Sequence, residues 1–191
     1  MKEKPPGAGK ESFGLVEVAR LFQELHLSRA RIFLDLGCGP GKYSLEAARQ
    51  LHPEGKVIAM DLWPEGLNLL KQATVTLDLR NILPVLMDLG QSIPLKDRSV
   101  DVCLIANVLH DLACARKEKE ALNEMARVLK PQSTLAIVEY KKIPGPPGPP
   151  LEIRIGAQEL PELVEPYGFK LDNTMDIGPY HYLVLFHPTD S

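Results

Sequence analysis

"RIFLDLGCGPGKYS", residues 31–44, runs from apolar residues through a single acid into three glycines at alternate positions. Glycine there weakens packing and enlarges the unfolded ensemble, so the fold must gain something from it. The segment "RIFLDLG" is short and apolar throughout, the pattern of a strand covered on both faces. A helix is expected from about Lys42 to Leu51. The glycines therefore stand where a buried strand hands over to a helix.

The same alternation continues outward. "GKVIAMD" (55–61) reads as a second buried strand, and "PEGLNLLKQA" opens a helix with proline at its first position. "ILPVLMD" (82–88) is a third strand, set near a sheet edge by Pro84. "SVDVCLIANVL" (99–109), the longest apolar run, predicts a central strand. A helix follows over 117–130, stopped by Pro131, and "STLAIVEY" (133–140) is a fifth strand. Further helices are expected from Gly14, capped by Ser12, and over 157–167, ending at Gly168. "FKLDNTM" and "YHYLVLFH", joined by "DIGP", predict a closing hairpin with an antiparallel final strand. The fold class is α/β, a Rossmann-like doubly wound sheet, mostly parallel, with helices on both faces. Residues 1–13 are expected to form a tail or lid, and residues 14–191 one domain.

Such sheets bind ligands beyond the carboxyl ends of their strands. Asp61 ends the second strand, Asp88 the third, and Asn107 lies near the end of the fourth. A carboxylate roughly 20 residues past the glycines is placed for ribose hydroxyls, which points to a nucleoside-bearing cofactor. The dinucleotide fingerprint fails, because the sixth position of the glycine motif is Lys42. Asp35 instead sets a carboxylate near the loop, unhelpful to a pyrophosphate but tolerable for a cationic ligand. "GAGKES" is not a phosphate loop either, since Lys4 stands where its first glycine is required and Glu11 where Ser or Thr should be.

With "LDLGCGPG", "GKVIAMD", "LMDLGQSIPLKDRSVDVCLIANVLHD", "RVLKP" and the late "GF", the chain resembles class I S-adenosylmethionine-dependent methyltransferases. It is most similar to the ubiquinone/menaquinone-biosynthesis (type 11) group, from about Phe33 to Phe186. The resemblance implies seven strands with the last antiparallel. It also implies that the loop Gly37, Cys38, Gly39 and Gly41, with Asp35 ahead of it, holds the methionine part of S-adenosylmethionine. Asp61 would take the ribose hydroxyls and Asp88 the adenine amine. Leu62, Trp63 and Leu89 would pack on the adenine ring, with Asn107 close to the sulfonium. The implied activity is in-line methyl transfer, in which most acceleration can come from alignment, worth roughly 7–11 kcal/mol.

His110, just past the strand carrying Asn107, is the candidate general base if the acceptor must lose a proton; the competing reading is a helix-start histidine. Glu139 and Tyr140, at the end of the fifth strand, face either the acceptor or the core. His181 and His187 read as sheet-face residues, and Cys38 as a small residue that fits the loop rather than a nucleophile. "IPGPPGPP" (143–150) is a stiff spacer or a wall of the acceptor pocket. "GAGKESF" would fold over the cofactor with Phe13 as anchor.

The 191 residues carry a net charge of −3 with both signs interspersed, unlike the basic face of a nucleic-acid binder. No stretch reaches the roughly 20 apolar residues of a membrane helix. Three irregularly spaced cysteines make neither a disulfide framework nor a zinc pattern. A cytoplasmic, metal-free enzyme with a small-molecule acceptor is expected. A non-catalytic module that binds S-adenosylmethionine is the alternative.

Overall fold

The computed structural model describes residue 7, residue 9 and residues 12–189. The remaining positions of the expected N-terminal tail lie outside the described residues. Seven strands form one sheet in the order β3-β2-β1-β4-β5-β7-β6. They are β1 (Ile32–Leu36), β2 (Lys56–Asp61), β3 (Ile82–Leu86), β4 (Val100–Ala106), β5 (Leu129–Tyr140), β6 (Phe169–Asp176) and β7 (His181–Pro188). Pairings among β1 to β5 are parallel, and β7 runs antiparallel between β5 and β6. The expected topology is thus the observed one, including Pro84 on the edge strand, where its missing N–H costs no inner ladder bond.

Alternate strand residues feed two cores, one on each face. Phe33, Val57, Ala59 and Leu104 meet helices α1 (Val18–Leu25), α2 (Lys42–Gln50) and α3 (Pro64–Thr76). Leu34, Met60, Cys103 and Ile105 meet α4 (Leu109–Cys114), α5 (Glu118–Val128) and α6 (Glu159–Val164). Fully burying such a side chain contributes about 1.5–3 kcal/mol. No helix among the described residues is long and apolar enough to cross a membrane.

Three local expectations are corrected. Residues 13–15 form a 3₁₀ turn and the helix begins only at Val18, because Glu17 N–H is drawn to the Ile177 carbonyl at 2.8 Å. Ser12 does not cap it; its hydroxyl pairs with the Tyr43 hydroxyl at 2.9 Å. The helix expected over 117–130 stops at Val128, where the chain enters β5 and Leu129 pairs with Val100.

The order of strands reverses between β1 and β4. The carboxyl ends of β1, β2 and β4 therefore face one crevice, and the glycine loop opens into it.

Candidate functional site

A cavity of about 340 Å³ fills that crevice. Its size falls within the range of small-ligand pockets, about 300–1,000 Å³. Gly37, Cys38 and Gly39 line it from β1, and Asp61, Leu62 and Trp63 from β2. Asp88 and Leu89 follow β3, Asn107 follows β4, and Ser12 and Phe13 come from the N-terminal segment.

The glycines serve different ends. A Cβ on Gly37 would lie 2.4 Å from Val108 Cγ2, and one on Gly41 would lie 2.4 Å from Leu70 Cδ1, so both are packing requirements. A Cβ on Gly39 would meet no atom within 4 Å, though its φ is +54°. Gly39 thus presents bare backbone to the cavity. Gly37 and Cys38 N–H both donate to the Met60 carbonyl, at 2.8 and 3.0 Å, which locks the loop to β2.

Asp61 does more than face a ligand. Its carboxylate accepts from Gly39 N–H and from Trp63 N–H, each at 2.7 Å. Burial pushes its carboxyl up, against the lowering effect of those backbone donors. Each oxygen keeps a second lone pair for a ligand hydroxyl. Asp88 accepts from Gly90 N–H at 3.0 Å and pairs with Lys117 at 2.7 Å, and the Lys117 hydrogen bond holds its carboxyl low. Lys117 lines the cavity too, a partner 29 positions away that no local pattern announced. Asn107 adopts φ +56°, and neither its amide oxygen nor its amide nitrogen has a partner although both are buried. Buried polar atoms without a protein partner are rare, and each calls for a partner such as a water, an ion or a ligand.

Three residues singled out by sequence stand elsewhere. Asp35 is 1% exposed beneath the loop and takes the Ser44 hydroxyl. Burial, with Asp61 adding to it, pushes the Asp35 carboxyl up to about 7 against the Ser44 hydrogen bond. Gly41 caps α2 against Leu70. His110 is 5% exposed and absent from the cavity lining, with Nδ1 2.7 Å from Glu139 Oε2. Burial pushes its imidazole down, but the Glu139 hydrogen bond and charge outweigh that and leave it raised. Its Nε2 lies 3.7 Å from Asp111, which does line the cavity. Cys38 lines the cavity, but burial first, then Asp35 and Asp61, push its thiol far up, so it stays protonated. Among the described residues no group of three or more potential ligands could hold a metal.

A methyltransferase domain model matches residues 34–137, which include the glycine loop and the ends of β1, β2 and β4. The chain belongs to the methyltransferase domain family. An uncharacterized methyltransferase-like protein of Schizosaccharomyces pombe is 35% identical over 115 residues, covering 60% of this chain and 40% of that one. A demethylmenaquinone methyltransferase of Lactiplantibacillus plantarum is 29% identical over 116 residues, covering 61% and 48%. The chain thus spans less than half the length of either relative. A solved S-adenosylmethionine-dependent methyltransferase of Aquifex aeolicus superposes with a TM-score of 0.84 at 27% identity, covering 97% of this chain and 95% of that one.

Sequence reasoning passed over two residues with visible consequences. Tyr43 lines the cavity from the first turn of α2, with the Phe13 ring edge-on at 5.1 Å. Arg154, 4% exposed, donates to the carbonyls of Lys141, Ile143, Gly145, Pro147 and Pro149. A signal for Arg154 existed: a proline-rich stretch has carbonyls but few N–H groups, so some side chain must gather it.

Proposed function

We propose that this chain is an S-adenosylmethionine-dependent methyltransferase that acts on a small-molecule acceptor by in-line displacement. The observation carrying the reading is the joint presence, in one cavity, of bare backbone at Gly39, the Asp61 carboxylate and the unpartnered Asn107 amide. S-Adenosylmethionine supplies a sulfonium-bound methyl group when it is bound. Gly37 to Gly39 would lie along its methionine part, and Asp61 would accept the ribose hydroxyls with its free lone pairs. Leu62, Trp63 and Leu89 would cover the adenine, and Asp88 would accept its amine while Lys117 keeps that carboxylate ionised. The Asn107 amide has both a donor and an acceptor to offer the amino-acid end or the reacting centre.

Positive charge leaves sulfur during transfer, so the residues contribute mainly alignment and exclusion of water. His110 reaches this site only indirectly. Its bond to Glu139, together with Glu139 accepting the His110 N–H at 3.1 Å, fixes the start of α4 and with it Asp111 on the cavity wall. We assign His110 to positioning. Phe13 and Ser12, held to Tyr43, close the site from the N-terminal side.

The test is incubation with methyl-labelled S-adenosylmethionine and a panel of phenols, quinols, amines and thiols. Quinols belong on the panel because one relative is named for demethylmenaquinone. Transfer of label to one class is expected. Tight cofactor binding without transfer to any of them would favour the binding-module alternative.

A further inference from the structure

Among the described residues, three carboxylates line the cavity, and the fold engages two of them. Asp61 accepts the Gly39 and Trp63 N–H groups; Asp88 accepts the Gly90 N–H and pairs with Lys117. Asp111 lines the cavity from the first turn of α4, yet its carboxylate makes no hydrogen bond among the described residues. Its one ion contact there is with His110 Nε2, at 3.7 Å, beyond hydrogen-bond reach. That imidazole is itself engaged by Glu139, 2.7 Å from Nδ1. A carboxylate has about four acceptor positions, and those of Asp111 are left for solvent or a ligand.

This carboxylate does not stand in open solvent. A Cβ on Gly7 would lie 3.0 Å from Asp111 Oδ2, so the N-terminal segment passes directly over it, and the side chain is 36% exposed. Phe13 on that segment, with Val108 and Leu112 beside Asp111, adds apolar wall. Val108, Asp111 and Leu112 have no part in the cofactor contacts set out above, so this stretch of wall is free to face the acceptor. Charge then selects what can sit there. On the described lining the acids are Asp61, Asp88 and Asp111 and the bases Lys42 and Lys117, so acid is in excess. Arg154 acts on His110 from behind and does not line the cavity. A phenolate or thiolate would meet like charge at Asp111, whereas an amine meets opposite charge both as the ammonium and as the methylated product.

Resting on the methyltransferase reading, we propose that Asp111 is the acceptor-binding carboxylate and that the methyl acceptor is an amine carried on an apolar body. The ammonium form docks against Asp111, and Phe13, Val108 and Leu112 cover its carbon frame. A proton then leaves the nitrogen for solvent, which reaches the partly exposed carboxylate. The nitrogen lone pair becomes the new nitrogen–carbon bond, while sulfur keeps the electron pair of the bond that breaks. Positive charge passes from sulfur to nitrogen and stays within the field of Asp111. His110 and Glu139, which fix the start of α4, are positioning residues for this carboxylate.

The probe is benzylamine, charged at pH 7, titrated by calorimetry into full-length protein saturated with S-adenosylhomocysteine. Saturable binding is expected, with benzyl alcohol and benzoate, which lack the positive charge, at least about tenfold weaker. Asp111→Asn, close in size, should weaken benzylamine about tenfold and leave the affinity for S-adenosylhomocysteine unchanged; Asp111→Glu should restore part of the loss. With methyl-labelled cofactor, label should move to the amine nitrogen, and Asp111→Asn should raise KM more than it lowers kcat. Absence of benzylamine binding, equal binding of the three compounds, or full benzylamine affinity in Asp111→Asn overturns the subsite. So does a loss of S-adenosylhomocysteine affinity in Asp111→Asn, which would give the carboxylate to the cofactor's own ammonium. Asp111-dependent benzylamine binding by protein that does not bind S-adenosylhomocysteine would uphold the subsite and reject the methyltransferase reading. Label transfer to phenols alone would do the reverse.

Discussion

Replacing Gly39 by alanine separates a ligand role from a folding role. The residue sits at φ +54°, and a Cβ there meets nothing within 4 Å. The folding cost of Gly39→Ala is therefore only the left-handed backbone strain of a side chain, about 1–2 kcal/mol. In a protein of this size each kcal/mol lowers Tm by about 2–4 °C. The added methyl projects into the cavity that the cofactor backbone should occupy. Binding of S-adenosylhomocysteine should fall at least about tenfold, about 1.4 kcal/mol. Gly37→Ala is the contrast: its Cβ would come within 2.4 Å of Val108, adding overpacking of about 1–3 kcal/mol to similar strain. Thermal unfolding and titration calorimetry on both variants read the two effects apart. Wild-type affinity in Gly39→Ala, or equal destabilisation of the two variants, would refute the reasoning.

The Asp35 carboxyl, raised to about 7 by burial, keeps a proton that the unfolded chain releases near pH 4. Stability from this group falls as pH rises between those values, so Asp35→Asn should gain on wild type in urea denaturation from pH 5 to pH 8; a constant difference would contradict it. His110 is raised in the fold, so the stability of its pair with Glu139 is full below about pH 6.5 and fades as pH climbs through the raised value. The lead of wild type over His110→Gln should be larger at pH 6 than at pH 9, measured the same way. Deleting residues 1–13 removes Phe13 from the Tyr43 ring and Ser12 from its hydroxyl, and should weaken cofactor binding severalfold by calorimetry. Unchanged affinity would exclude a closing role for that segment.

The fold was legible because it rests on short-range pattern: apolar runs such as 100–106, glycine and proline punctuation, and acids at strand ends. The crevice followed from topology, so Asp61, Asp88 and Asn107 could be placed together without a contact map. Other features depend on long-range neighbours that spacing does not encode. Asp35 looked like a ligand residue beside the loop, but strand alternation turns it under the loop onto Ser44. His110 looked poised for chemistry, but Glu139, 29 positions away on the neighbouring strand β5, claims its ring. Lys117 on Asp88 and the five carbonyls on Arg154 are likewise set by tertiary packing. The early start assigned to α1 failed because the Glu17–Ile177 bond overrides the helical period of residues 15–25.

Calorimetric titration of S-adenosylhomocysteine into wild type and Asp61→Ala tests the central claim most directly. Asp61 holds both the Gly39 and Trp63 N–H groups, and charge-assisted bonds of this kind contribute about 1.5–3 kcal/mol each. Saturable binding by wild type and a loss of at least about a hundredfold, roughly 2.7 kcal/mol, in the folded variant are expected. Absence of heat with wild type, or equal affinity in Asp61→Ala, would contradict an adenosyl cofactor held between the glycine loop and the end of β2.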